Sequence, residues 1–127
     1  MSKIVLVFDA VSSGSRATGS GSYAVIKGSL RTVTRLEFGN GMTIHEAQYD
    51  TLITALEVLI QQEAAEETVL EIRSPSQLVI RQVMGIWQAR EAHLRARLDR
   101  VRALLRHFKS VTLTHIPREQ ASSLLAR

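Results

Sequence analysis

The residues able to do chemistry are sparse and unevenly placed. Asp9 ends an apolar run in VLVFDAVSSGS, where a carboxylate at a strand end can hold a hard cation or orient a donor. Glu46 and Asp50 stand two residues either side of Gln48. On a helix, two residues is about 200° of rotation, so both acids point away from whatever Gln48 faces. Glu71 sits inside a β-like run and reads as a strand-surface residue. His45, His93, His107 and His115 have no metal-ligand spacing, and the chain has no cysteine. His115 is placed to orient the turn at Pro117-Arg118. Residues 90–109 hold seven Lys/Arg against two acids. In that run Arg95, Arg102 and Arg106 share one stripe, which suits contact with a polyanion. Asp99 is spaced to pair locally with Arg95 and Arg102, and a solvated, partly paired helix face is the plainer reading of the same pattern. Arg16 lies in a Gly/Ser-rich loop, Ser12–Ser22, that allows close approach to a phosphate backbone.

The elements that position these residues follow from pattern. Lys3–Asp9 alternates and is β-branched, so it reads as a strand, as do Ser22–Lys27 and Leu30–Glu37, joined at Gly28-Ser29. Thr43-Ile44-His45-Glu46 matches a capping box that opens a helix to about Ala64. Its inward stripe is Gln48, Leu52, Ala55, Leu56 and Leu59. Val69–Arg73 is a fourth strand. Ser74 is expected as a helix N-cap, with Pro75 at the first helical position, where its missing N–H is harmless. That helix runs to Met84, broken by Gly85. A long helix is expected over Trp87–His107, with the stripe Leu94, Leu98, Val101, Leu105, Phe108. Ser110–His115 is a fifth strand, and Arg118–Ala126 a short terminal helix. An antiparallel meander followed by crossovers predicts a mixed five-stranded α/β sheet with helices on both faces.

Composition bounds the rest. The chain has 127 residues, 45% of them apolar, enough for one domain over 1–127. No apolar run reaches the roughly 20 residues of a membrane span. The N-terminal run has no cleavage site after it and reads as a buried strand, so a cytoplasmic placement and no membrane partner are expected. Residues 1–84 carry seven Lys/Arg against nine acids, and residues 85–127 nine against three. The net charge of +4 therefore sits in the C-terminal third.

Four segments, taken in order, resemble the ribonuclease H family, in its short bacterial and archaeal form. VLVFDAVSSGS is similar to that family's first strand and glycine-rich loop. MTIHEAQYDTLITALEVL is similar to its first helix, LEIRSPSQLVIRQVMGIW to its strand-turn-helix, and FKSVTLTHIPRE to its last strand and turn. The resemblance implies hydrolysis of a phosphodiester by two Mg²⁺ ions, roughly 3.5–4 Å apart, held by four carboxylates. The first falls on Asp9. The second falls on Gln48, which keeps a carbonyl acceptor but no charge. The third falls on Pro75. The fourth falls in QASSLLAR, on Leu125 or, with a gap, on a serine. The family's two RNA-holding asparagines fall on Ile44 and His45. The resemblance thus implies a catalytically degenerate member: no metal ligand set, no cofactor, and binding of RNA/DNA hybrid or duplex through Arg95, Arg102, Arg106 and Arg16. Two alternatives stand beside it. One is a genuine metal-dependent ribonuclease H with an altered site, using Mg²⁺ or Mn²⁺. The other is a retained fold serving protein interaction or homodimerisation. Trp87, in a family-like Gly-x-Trp, is expected as a core anchor rather than a base-stacking platform.

Overall fold

The computed structural model describes residues 2–126; Met1 and Arg127, which the single-domain expectation includes, lie outside them. Five strands form one sheet: β1 (Ser2–Ser13), β2 (Thr18–Lys27), β3 (Leu30–Glu37), β4 (Thr68–Ser74) and β5 (Ser110–His115), in the order β3-β2-β1-β4-β5. β1, β2 and β3 pair antiparallel, while β4 and β5 run parallel to β1. The expected mixed sheet is therefore present.

Four helices pack on it: α1 (Ile44–Gln62), α2 (Gln77–Met84), α3 (Ala92–Leu105) and α4 (Arg118–Leu125). The first three cover one face through a core that includes Ile4, Leu6, Phe8, Leu52, Leu56, Val79 and Val101. α4 lies on the other face, over a small cluster of Val7, Ala24, Ile116, Ala121 and Leu125. Alternation along β1 separates the two sets, since successive side chains point to opposite faces. Among the described residues no helix is long and apolar enough to cross a membrane.

Three expectations need correction. Ser12–Ser22 is not a loop. β1 continues to Ser13 and β2 begins at Thr18, with the four residues 14–17 turning between them and Gly14 at φ +80. Glycines within β2 signal a close approach rather than a loop. A Cβ on Gly21 would lie 1.9 Å from Thr51 Oγ1, so α1 rests directly on the strand backbone there. Ser74 is not the N-cap of α2. It stays in the sheet opposite His115, and Ser76 caps instead, leaving Pro75 before the cap. Nor does a long helix begin at Trp87. Gly85, at φ +84, ends α2, and the amides of Ile86 and Trp87 both donate to the Arg81 carbonyl. The chain is folded back on α2 there, so α3 starts only at Ala92, and its buried stripe runs through Leu104 rather than Leu105.

Candidate functional site

Asp9 stands near the C-terminal end of β1, on the α4 face, level with Ser22 of β2, which is level with Arg35 of β3. Each oxygen of its carboxylate has a partner. Oδ1 accepts the Ala10 amide at 2.8 Å. Oδ2 accepts from Arg118 Nη1 at 2.7 Å. Arg118 is the first residue of α4, and α4 is aimed by the backbone bond from Ile116 N–H to the Ser74 carbonyl. That bond does the orienting expected of His115, whose side chain is exposed. Beside Asp9 opens a cleft of about 430 Å³, lined in part by Ser22, Arg35, Glu37, Ser122 and Leu125.

Gln48 lies on the inner face of α1 and is only 3% exposed. The capping box sets its position: Thr43 Oγ1 accepts the Glu46 amide, and Glu46 accepts the Thr43 amide. Gln48 Oε1 accepts from Ser76 Oγ at 2.8 Å and meets His45 Nδ1 at 3.3 Å. Ser74 Oγ accepts the Ser76 amide, so the turn between β4 and α2 is held by its two serines. The last β1–β4 pair is Val7 with Arg73, so Asp9 and Pro75 each lie two residues beyond it along their own segments.

Glu46, Asp50 and Glu71 are committed elsewhere. Glu46 faces His93 Nδ1 at 3.3 Å and Arg97 at 3.5 Å, on α3. Its carboxyl titrates below the ordinary range, first because of the Thr43 backbone bond, against the opposing effect of burial. Asp50 takes Arg97 Nε at 2.8 Å, and that bond, more than any other influence, holds the guanidinium charged. Glu71 pairs with Arg73 and Lys3, and the Arg73 bond lowers its carboxyl. Among the described residues no three His, Cys, Asp or Glu side chains converge in a way that holds a metal ion.

The expected arginines do not form one patch. Arg95 and Arg102 line a second groove, of about 440 Å³, with Arg90, Trp87 and Asp99. Asp99 makes no ion pair with either arginine among the described residues; instead Arg102 donates to the Gln82 carbonyl at 3.2 Å. Arg106 is exposed at the C-cap of α3, outside the residues lining that groove. Arg16 is at the β1–β2 turn, where its carbonyl accepts the Gly41 amide. Trp87 is not a core anchor. It is 42% exposed, between exposed Ile86 and Gln88, with the Arg81 guanidinium 5.5 Å above its ring. The fold-back at Gly85 turns it outward.

Sequence reasoning missed two functional neighbours. Arg118 carries no local signal for its contact with a residue 109 positions away. Ser76 had one: it precedes Gln77 as an N-cap residue type, but Pro75 made Ser74 look the better cap.

Residues 8–124 match the profile of the Reverse transcriptase-like family. The chain is 32% identical over 123 residues to the ribonuclease HI of Halobacterium salinarum, and it spans 59% of that relative's length. The crystal structure of ribonuclease H1 from the same archaeon superposes with a TM-score of 0.85 at 29% identity, over 94% of this chain and 89% of that one. LC11-RNase H1, solved in complex with an RNA/DNA hybrid, shares the fold at 21% identity, with a TM-score of 0.84 over 94% of this chain and 89% of that one. With its sheet order, its helix placement and a match across nearly its whole length, the chain belongs to the Reverse transcriptase-like family and is a ribonuclease H-like protein.

Proposed function

We propose that this chain is a nucleic-acid-binding module, for RNA/DNA hybrid or duplex, without robust nuclease activity. The observation that carries the reading is the Arg118 guanidinium on Asp9. Two-metal hydrolysis needs a cluster of anionic oxygens free to take Mg²⁺. Here the Asp9 carboxylate is neutralised by a resident cation and an amide. The Gln48 oxygen is uncharged and taken by Ser76, and Pro75 has no side-chain donor atom. These residues do not fit a two-metal centre.

Binding asks for less. Arg95, Arg102 and Arg90 converge on a groove beside an exposed indole, while Arg106 stands apart at the α3 C-cap and Arg16 at the β1–β2 turn. Guanidinium contacts to phosphate are sequence-independent and screened by salt. The RNA/DNA hybrid bound by LC11-RNase H1, a protein of the same fold, supports a hybrid as the ligand class. The identity to a ribonuclease HI favours one competing reading, a Mg²⁺- or Mn²⁺-dependent hydrolase with an altered site.

Fluorescence anisotropy with a labelled hybrid, at two salt concentrations and without divalent cations, tests the proposal. A steep decline of log K with log salt, a slope of roughly −2 to −4 for a few phosphate contacts, is expected. Absence of salt-sensitive binding leaves the fold to a protein partner or a second copy.

A further inference from the structure

α4 is eight residues long and buries only Ala121 and Leu125. A helix this short does not hold itself in water. It has no side-chain N-cap and no basic residue in its last turn. Its ends are instead met by charges from the sheet. At the N-terminus stands the Asp9 carboxylate, bonded to Arg118. At the C-terminus Arg31 Nη1, from β3, donates to the carbonyls of Leu124 at 2.7 Å and Ala126 at 2.5 Å. Those carbonyls belong to the group that a helix end leaves without partners. At that end the sign also matches the helix dipole, which favours a cation at the C-terminus.

The spacing fits a single clamp. Asp9, Ser22 and Arg35 form one row across β1–β3, and Val5, Ile26 and Arg31 form another on the same face. The rows are four residues apart, about 13 Å along a strand. A helix of eight residues rises about 12 Å. α4 thus reaches from one row to the other, forming one wall of the Asp9 cleft through Ser122, Leu125 and Ala126.

We infer that Arg31 is a positioning residue for the Arg118–Asp9 pair, acting through α4 from the far edge of the sheet. With its C-terminal end pinned, the helix presents Arg118 to Asp9. With that end free, the helix undocks as a unit and the carboxylate is uncovered. The inference rests on the reading of Arg118 as the resident cation at Asp9, but its test needs neither nucleic acid nor metal.

The test is solvent exchange by NMR on the whole chain, with two probes. One is the amides of Leu124 and Leu125, next to Arg31. The other is the Arg118 side-chain Nε–H, at the opposite end of α4. Arg31→Gln is expected to speed exchange at both by about tenfold, the worth of one charge-assisted bond, while Ile72 in the central sheet is unchanged. Arg31→Lys, which keeps a cationic donor, is expected to fall between. A response confined to Leu124 and Leu125 overturns the inference, because a local cap moves only the last turn. An Arg118 proton unmoved by both variants overturns it too. Should Arg31→Gln fail to fold, Arg31→Lys alone decides by the same two probes. Failure of hybrid binding alongside a coupled α4 response would remove the nucleic-acid reading and leave this one standing.

Discussion

Arg118 and Asp9, 109 residues apart, meet at 2.7 Å across the junction of β1 and α4. The pair joins a largely buried carboxylate to an exposed guanidinium, with side-chain exposures of 15% and 57%. Half-exposed pairs contribute little by themselves. Removing Arg118 also leaves the Asp9 carboxylate partly desolvated. Arg118→Gln is therefore expected to cost roughly 1 kcal/mol, or about 3–5 °C in Tm for a chain of this size. Thermal melts check this, and the difference should shrink in high salt.

Divalent cations should not stabilise the folded chain. A ligand that binds only the native state raises Tm by mass action. Millimolar Mg²⁺ or Mn²⁺ is expected to shift the wild-type Tm by less than about 1 °C. The triple substitution Gln48→Glu, Pro75→Asp, Arg118→Gln restores carboxylates at two of the family's positions and removes the resident cation from Asp9. That variant should be less stable without metal, from mutual repulsion, and should regain several degrees with Mn²⁺. Differential scanning fluorimetry with and without metal measures both effects.

The acid limb of stability is assigned to two glutamates. Glu46 and Glu71 both titrate below their ordinary value of 4.5, through the Thr43 and Arg73 hydrogen bonds respectively. A carboxyl lowered in the folded state contributes stability that is present above its unfolded value and is lost as pH falls through the folded one. Urea melts should therefore show stability declining below about pH 4.5. Glu46→Gln keeps the capping geometry but removes the charge. It should flatten part of that decline while costing at most about 1 kcal/mol at neutral pH.

Arg95 and Trp87 separate charge from packing in the second groove. Arg95→Ala should reduce the salt slope of hybrid binding by about one, with little change in stability. Trp87→Ala removes an exposed ring and a contact with Arg81 worth about 0.5–1 kcal/mol. Its Tm should fall only slightly, and any larger fall in affinity reports the indole against the ligand. Anisotropy titrations paired with thermal melts distinguish the two effects.

The elements were legible wherever one local rule decided them. The Thr43–Glu46 capping box, the buried stripe of α1, the Gly85 stop and all five strands follow from period and cap chemistry. Pattern and structure diverge where tertiary contact overrides composition. Gly19 and Gly21 read as loop residues, yet they are strand positions cleared for Met42 and Thr51. Leu94 to Phe108 gave the core side of α3, but not the fold-back that delays its start and exposes Trp87. The family resemblance assigns Asp9, Gln48 and Pro75 to one site, and Asp9 and Pro75 each lie two residues beyond the last β1–β4 pair. The Arg118 contact to Asp9 is not legible in the sequence, because the arginine arrives from the far end of the chain and no spacing announces a contact between residues so distant.

The proposed function has the Arg118–Asp9 pair standing in place of a metal centre. Its most direct test is cleavage of an end-labelled RNA/DNA hybrid at high protein concentration with Mg²⁺ or Mn²⁺, beside Asp9→Asn. Wild type and Asp9→Asn are expected to be alike, with no cleavage above background. Metal-dependent cleavage that disappears in Asp9→Asn would contradict it, and would mean that Arg118 yields Asp9 to a metal when substrate is bound.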